Sequence, residues 1–190
     1  MYKSGKFPNV TLKWAQTIDG QLADDTHHSQ WISGSNERRY THQLRSYHQG
    51  ILVGARTFLK DQCQLTVRDI EFKGAQPARI IIDPRDRITQ ALKENPNLID
   101  ALNAGPRRTY LLTDLLDTDD DASYICLSRS KVIHVKYRFN DFKQWLTGGL
   151  KEIAHVFELL EKRSLDNLMV EGGAATLSEF LKAGLDRKSV

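Results

Sequence analysis

A chain of 190 residues with 40% apolar side chains is long enough for one domain with a sizeable core, and its net charge of +3 is too small to argue for nucleic acid. The basic residues alternate with acids instead of forming blocks, which describes a solvated surface. Two cysteines without Cys-x-x-Cys spacing suggest neither a zinc site nor a disulfide framework and fit a reducing cytoplasm; the opening MYKSGKFPNV has no signal core, and no run is long enough to cross a bilayer.

In chain order, Val10 to Thr17 (VTLKWAQT) is apolar and β-branched and runs to the turn pair Asp19-Gly20, which predicts a strand leading into a loop. The loop from Gln21 to Gly34 carries THHSQWISG, where Trp31 stands among hydroxyls and amides; its ring either folds over the core edge or covers a flat ligand. His27 and His28 are adjacent, so their side chains diverge, and they read as loop histidines. Ser35 to Gln49 favours helix, with Tyr40, Leu44 and Tyr47 as its apolar stripe and Arg38 and Arg45 beside it. Ile51 to Gly54 predicts a short buried strand, and Thr57 to Arg68 a mixed polar loop with a basic end.

Ala78 to Asp83 (ARIIID) is the clearest strand, stopped by Pro84. Ile88 to Leu102 reads as helix interrupted by Pro96, Thr109 to Thr113 as a buried strand before the acidic loop DLLDTDDD, and Tyr124 to Leu127 and Lys131 to Val135 as short strands. Leu150, Ile153, Ala154, Phe157 and Leu160 form the best amphipathic helix, which leads to the stretch DNLMVEGGAATLSEFLKAG. There Leu168 to Val170 suit a strand covered on both faces, Gly172 and Gly173 a tight turn, and Leu177, Phe180 and Leu181 a helix pinned to the sheet. A helix start free of Cβ atoms attracts phosphate, and Glu171 stands where open α/β sheets place ligands. Taken alone, however, the stretch is more simply a turn with a solvated glutamate.

Strands alternating with helices imply an α/β domain spanning residues 1–190, with a mainly parallel sheet covered on both faces. The G-x-G-x-x-G fingerprint is absent, so a Rossmann domain is not supported, and the closing AGLDRKSV offers no further strand.

The blocks VTLKWAQTIDGQLA, SQWISG, a helix reaching Arg45, ILVGARTFLKDQCQLTVR, ARIIIDPRDRI and LMVEGGAATLSEFLKAG occur in the order and spacing of the reductase domain of bacterial riboflavin biosynthesis enzymes. The chain resembles that family from about Pro8 to Gly184. The resemblance implies a dihydrofolate reductase-like, three-layer α/β/α fold, a tendency to dimerise, and NADPH-dependent reduction of the ribosyl group of 5-amino-6-(5-phosphoribosylamino)uracil to a ribityl chain. Ser29, Arg45, Leu65 and Arg68 match positions that contact the phosphorylated pyrimidine substrate, and Glu171 the carboxylate beside its ring. Planar guanidinium forks suit a phosphorylated sugar, and a carboxylate suits the ring N–H donors. Gln16, Trp31, Thr57 and Asp61 match positions lining the nicotinamide half of the cofactor. Gly173, Ala174, Ala175, Thr176, Leu177, Ser178 and Glu179 match the loop and helix start under its pyrophosphate. Asp61 and Glu171 are the candidate catalytic carboxylates, Asp61 as proton donor with a water molecule as its alternative.

The chain departs from the family pattern in three places. Asp61-Gln62-Cys63 replaces Asp-Asp-Pro, and Pro84 follows Asp83, so that Arg85 or Arg87 would have to serve the cofactor's extra phosphate. The strand and antiparallel hairpin that follow Ala-Gly-Leu in family members are also missing, which implies an open sheet edge prone to self-association. Two other functions fit the same residues: a related reductase acting on a pterin-like heterocycle, and a catalytically silent homologue that binds a nucleotide or a partner.

Overall fold

The computed structural model describes residues 9–22, 32–105, 108–114, 132–137, 160, 164–182 and 188–189. Its strands are β1 (Asn9–Lys13), β2 (Gly50–Gly54), β3 (Ala78–Asp83), β4 (Thr109–Asp114), β5 (Val132–Tyr137), β6 (Asn167–Glu171) and β7 (Lys188–Ser189). They form one sheet in the order β5-β4-β3-β2-β6-β1-β7, and every neighbouring pair is parallel. The described helices are α1 (Ser35–Ser46), α2 (Ala55–Asp61), α3 (Arg87–Glu94), α4 (Leu98–Asn103) and α5 (Ala174–Lys182).

A parallel strand buried on both faces reads as an unbroken apolar run, which is why ILV, IIID and LMV are the plainest strands of the chain. Alternate residues of each run enter different layers. Leu52, Ile80, Ile82, Leu112, Leu168 and Val170 pack with Leu177 and Phe180 of α5, and Ile51, Val53, Ile81, Leu111 and Met169 pack beneath α2, α3 and α4. Each such side chain removed from water contributes about 2 kcal/mol.

Several expectations are corrected. The segment read as a polar loop from Thr57 begins with helix α2, which follows β2 without a spacer; Ala55 and Phe58 are buried, an anchor too short to register as periodicity. On α1 the buried residues are Thr41 and His42, while Tyr40 and Tyr47 of the expected stripe are 51% and 63% exposed. Leu181 is likewise exposed, leaving Leu177 and Phe180 to hold α5. Strand β1 is shorter than expected, whereas the helix expected to be interrupted at Pro96 is so, as α3 and α4. The closing residues do supply a strand, for β7 pairs with β1 at Thr11 and Leu12. Main-chain hydrogen bonding to a free strand edge decides that pairing, and no side-chain pattern announces it. The Tyr124–Leu127 strand and all but Leu160 of the expected 150–160 helix lie outside the described residues.

Candidate active site

Strands β1 and β6 end side by side, with Lys13 opposite Glu171 in register, so two opposite charges stand at one end of the sheet. Helix α1 brings a third. Arg45 Nε donates to Glu171 Oε1 at 2.6 Å and Nη2 donates to Oε2 at 2.8 Å, while Nη1 donates to the Thr66 carbonyl at 2.9 Å. Both side chains of this two-pronged pair are 11% exposed. Burial pulls the Arg45 guanidinium down, but the charge and hydrogen bonds of Glu171 outweigh it and leave its pKa raised. Burial also lowers the pKa of the Lys13 ammonium; Glu171 opposes that shift and Arg45 adds to it. The expected solvated glutamate is thus a nearly buried, ion-paired one. Arg45 and Glu171, expected at opposite ends of a substrate, meet each other.

Between α2 and β3 the chain crosses the site without regular structure, and Gln62, Leu65 and Asp69 have φ of 44°, 55° and 60°. Left-handed backbone at three non-glycine residues needs support from outside the loop. Gln76 supplies part of it, with Oε1 accepting from Val67 N at 2.7 Å and Nε2 donating to Val67 O at 2.9 Å. Arg79 Nη1 donates to the Cys63 carbonyl at 3.1 Å. Leu65 is buried, whereas the Arg68 side chain is 56% exposed and free to meet a ligand.

The double glycine turns as expected, Gly172 at φ +83° and Gly173 at φ +74°. A Cβ on Gly173 would stand 2.9 Å from Thr57 Oγ1, so α2 and the start of α5 close on one another where only glycine fits. Gly173, Ala174, Ala175 and Ser178 are exposed along this helix start, while Thr176, Leu177 and Glu179 are buried. Glu179 Oε1 accepts from Lys182 Nζ at 2.9 Å. Asp61 is exposed at the end of α2, and Gln16 is exposed with Oε1 accepting from Trp14 Nε1 at 2.9 Å. Cys63, half-buried, is pushed up to about 11 by burial, with Arg79 opposing and the charges of Asp61 and Glu171 adding to the shift. Ser29 and Trp31 lie outside the described residues.

At the end of β3, Asp83 is fully buried and its Oδ2 accepts from Ile88 N at 2.7 Å. Beside it the Arg87 guanidinium is held below its ordinary pKa by burial and by the charges of Arg56 and Arg85. The charge of Asp83 opposes that shift. Among the described residues no group of three or more His, Cys, Asp or Glu could hold a metal ion, and no helix is long and apolar enough to span a membrane. Lys13 is the candidate that sequence reasoning passed over. Its signal was a lone cation in an otherwise uncharged strand.

A family model described as the RibD C-terminal domain matches residues 8–187. The riboflavin biosynthesis protein RibD of Aquifex aeolicus is 31% identical over 183 residues, covering 96% of this chain and 45% of that protein. Its counterpart in Chlamydia pneumoniae is 28% identical over 186 residues, covering 95% and 44%. Among solved structures, a diaminohydroxyphosphoribosylaminopyrimidine deaminase/5-amino-6-(5-phosphoribosylamino)uracil reductase from Thermotoga maritima superimposes with a TM-score of 0.63 at 28% identity, covering 93% of this chain and 42% of that one. Acinetobacter baumannii RibD, form 1, gives a TM-score of 0.64 at 26% identity, covering 95% and 44%. The chain spans less than half the length of these relatives.

Proposed function

Because the chain belongs to the RibD C-terminal domain family, we propose that it is an NADPH-dependent reductase that converts the ribosyl group of 5-amino-6-(5-phosphoribosylamino)uracil to a ribitylamino group. The observation that carries this reading is the meeting, at one end of the sheet, of a glycine turn suited to phosphate with the Lys13, Glu171 and Arg45 cluster.

The residues present fit the cofactor. The opening at Gly173, which a Cβ would close against Thr57, leaves backbone N–H groups of the α5 start for a pyrophosphate. Arg85 and Arg87, which follow Pro84, are the cations that would meet the extra phosphate of NADPH, with Arg56 adding its charge at Arg87. Bound there, NADPH would supply a hydride for C1′ of the ring-opened ribosylamine.

The chain's own residues position the substrate and provide a proton. Glu171, oriented by Arg45, presents acceptor oxygens to the pyrimidine N–H groups. Arg68, with its exposed guanidinium, takes the phosphate, a role that Arg45 shares less because its fork is committed to Glu171 and Thr66. Lys13 is the better proton donor, since it stands opposite Glu171 at the strand ends and burial lowers the pKa of its ammonium, whereas Asp61 stands exposed.

Mixing the purified chain with NADPH and the phosphorylated substrate, and following cofactor oxidation, tests the reading. The wild type should turn over. Lys13→Met should lower kcat on the order of 100-fold, and Asp61→Asn less than about tenfold. NADPH binding without turnover on this substrate would overturn the proposed activity, and the reverse ranking of the two variants would overturn the assignment of the donor.

A further inference from the structure

We propose that His42 is a positioning residue for the phosphate end of the site, holding the strained Thr66–Asp69 segment so that Arg68 presents its guanidinium to the substrate; this rests on the reductase reading above. His42 lies one helical turn before Arg45, so α1 aims both side chains at the same stretch of main chain. His42 is 5% exposed, and its Nδ1 stands 3.0 Å from the Thr66 carbonyl oxygen and 3.3 Å from the Arg68 backbone nitrogen. On its far side Nε2 faces Asp69 Oδ2 at 3.4 Å. One ring thus touches three residues of the segment.

The need for such a hold is written in the backbone. Leu65 and Asp69, with φ of 55° and 60°, bracket the segment in a conformation that leucine and aspartate seldom adopt, and no helix or strand bonds it. The supports act on different residues. Gln76 takes both main-chain groups of Val67, and Arg45 takes the Thr66 carbonyl. The Arg68 main chain is met by His42. Both neutral tautomers keep the ring on the segment: Nδ1–H donates to Thr66, or Nδ1 accepts from Arg68 while Nε2–H points to Asp69. The groups that charge this environment are Arg45 of α1 and Arg68 and Asp69 of the loop itself. Since Arg68 contributes a weak 3.4 Å contact to Thr66 Oγ1 and a 4.0 Å approach to Asp69, its side chain has no strong partner among the described residues to set its direction, and its main chain must do so.

His42→Leu and His42→Asn, assayed with the phosphorylated substrate and its dephosphorylated counterpart, test the proposal; asparagine keeps a polar group near the place of Nδ1. His42→Leu should raise KM for the phosphorylated substrate by about tenfold, the equivalent of one hydrogen bond, with kcat, the NADPH Kd and KM for the dephosphorylated compound each within about twofold of wild type. His42→Asn should recover most of the loss. Amide exchange at residues 66–68 should quicken in His42→Leu while that of β2 and β3 keeps its wild-type rate. Equal KM changes for both substrates, or unchanged exchange at 66–68, would overturn the assignment. If His42→Leu does not fold, the same readings on His42→Asn and His42→Gln decide. A wild type that binds NADPH but does not turn over the phosphorylated substrate defeats the reductase reading instead, and the exchange rates still settle whether His42 holds the segment.

Discussion

Arg79, second residue of β3, is a cation that is 2% exposed, and among the described residues no carboxylate stands among its hydrogen-bond partners. Its Nε and Nη2 donate to Thr109 Oγ1 at 3.1 and 2.9 Å, Nη2 also reaches the Ala101 and Leu102 carbonyls, and Nη1 the Cys63 carbonyl. Ala101 and Leu102 lie in the last turn of α4, where the helix dipole presents its negative end, and the Phe58 ring lies 4.9 Å beneath the guanidinium. Burial lowers the Arg79 pKa, as expected of a charge held by dipoles alone. Truncation would leave several buried carbonyls without donors, so Arg79→Met should lower unfolding stability by about 3 kcal/mol in urea titration. A loss below about 1 kcal/mol would mean that water or a neighbour replaces the guanidinium. Arg45 differs, because its partner is charged. Its removal would leave Glu171 without its guanidinium partner, which changes the proposed substrate site as well as the fold.

Helices α5 and α1 carry separate predictions. At the start of α5, Gly173→Ala forces a side chain into φ +74° and against Thr57 Oγ1. The left-handed backbone alone costs about 1–2 kcal/mol. NADPH affinity should fall more than stability does, because the methyl group also blocks the approach to the helix start. Titration of cofactor fluorescence beside thermal melts checks this, and an unchanged Kd would remove the glycine turn from the cofactor site. Helix α1 and its C-terminal flank hold two histidines with lowered pKa. Burial is the first cause for each; at His42 Arg45 and Arg68 reinforce it, and at His48 the Leu44 carbonyl and Glu171 oppose it. His48 Nδ1 donates to Leu44 O at 2.7 Å, which leaves Nε2 to accept from Thr11 Oγ1 at 2.9 Å. The fold keeps both rings neutral, so as pH falls below about 6.5 the unfolded chain gains protons first. Their contribution is therefore complete above that pH and is lost as pH falls through the lowered native values. The urea midpoint should drop between about pH 7 and pH 5, and less steeply in a His42→Asn, His48→Gln double variant. A midpoint that is flat or rises toward acid would contradict neutral rings.

At the scale of the whole molecule, a parallel sheet brings the ends of distant segments to one side. Lys13, Gly54 and Glu171 are far apart in sequence and end neighbouring strands. A ligand that binds there bridges β1, β2, β6 and the helices behind them, so it should stabilise the fold as a unit. At 100 times its Kd, NADPH should add about 2.7 kcal/mol and raise Tm by several degrees. NADH at equal concentration should do less if Arg56, Arg85 and Arg87 receive the extra phosphate. Identical shifts for the two cofactors would place that phosphate elsewhere. The edge of β1 that the sequence leads one to expect open pairs with β7 at Thr11 and Leu12.

The sequence by itself determined the strands whose two faces are both buried, because an unbroken apolar run such as Ile80–Ile82 has no other stable place, and it determined the glycine turn, because only glycine suits the backbone there. It also carried the family, through six blocks in one order. Helix α2 was hidden, since Ala55 and Phe58 make too brief a pattern, and the inward face of α1 was misjudged because Thr41, His42 and Arg45 are polar and their burial depends on partners in other segments. Tertiary structure alone decided that Arg45 grips Glu171, that Lys13 stands beside both, and that His42 meets the Arg68 main chain. The physical reason is separation along the chain. Hydrophobic periodicity is a local property, whereas a buried ion pair between residues 45 and 171 exists only after the sheet has brought its strand ends together.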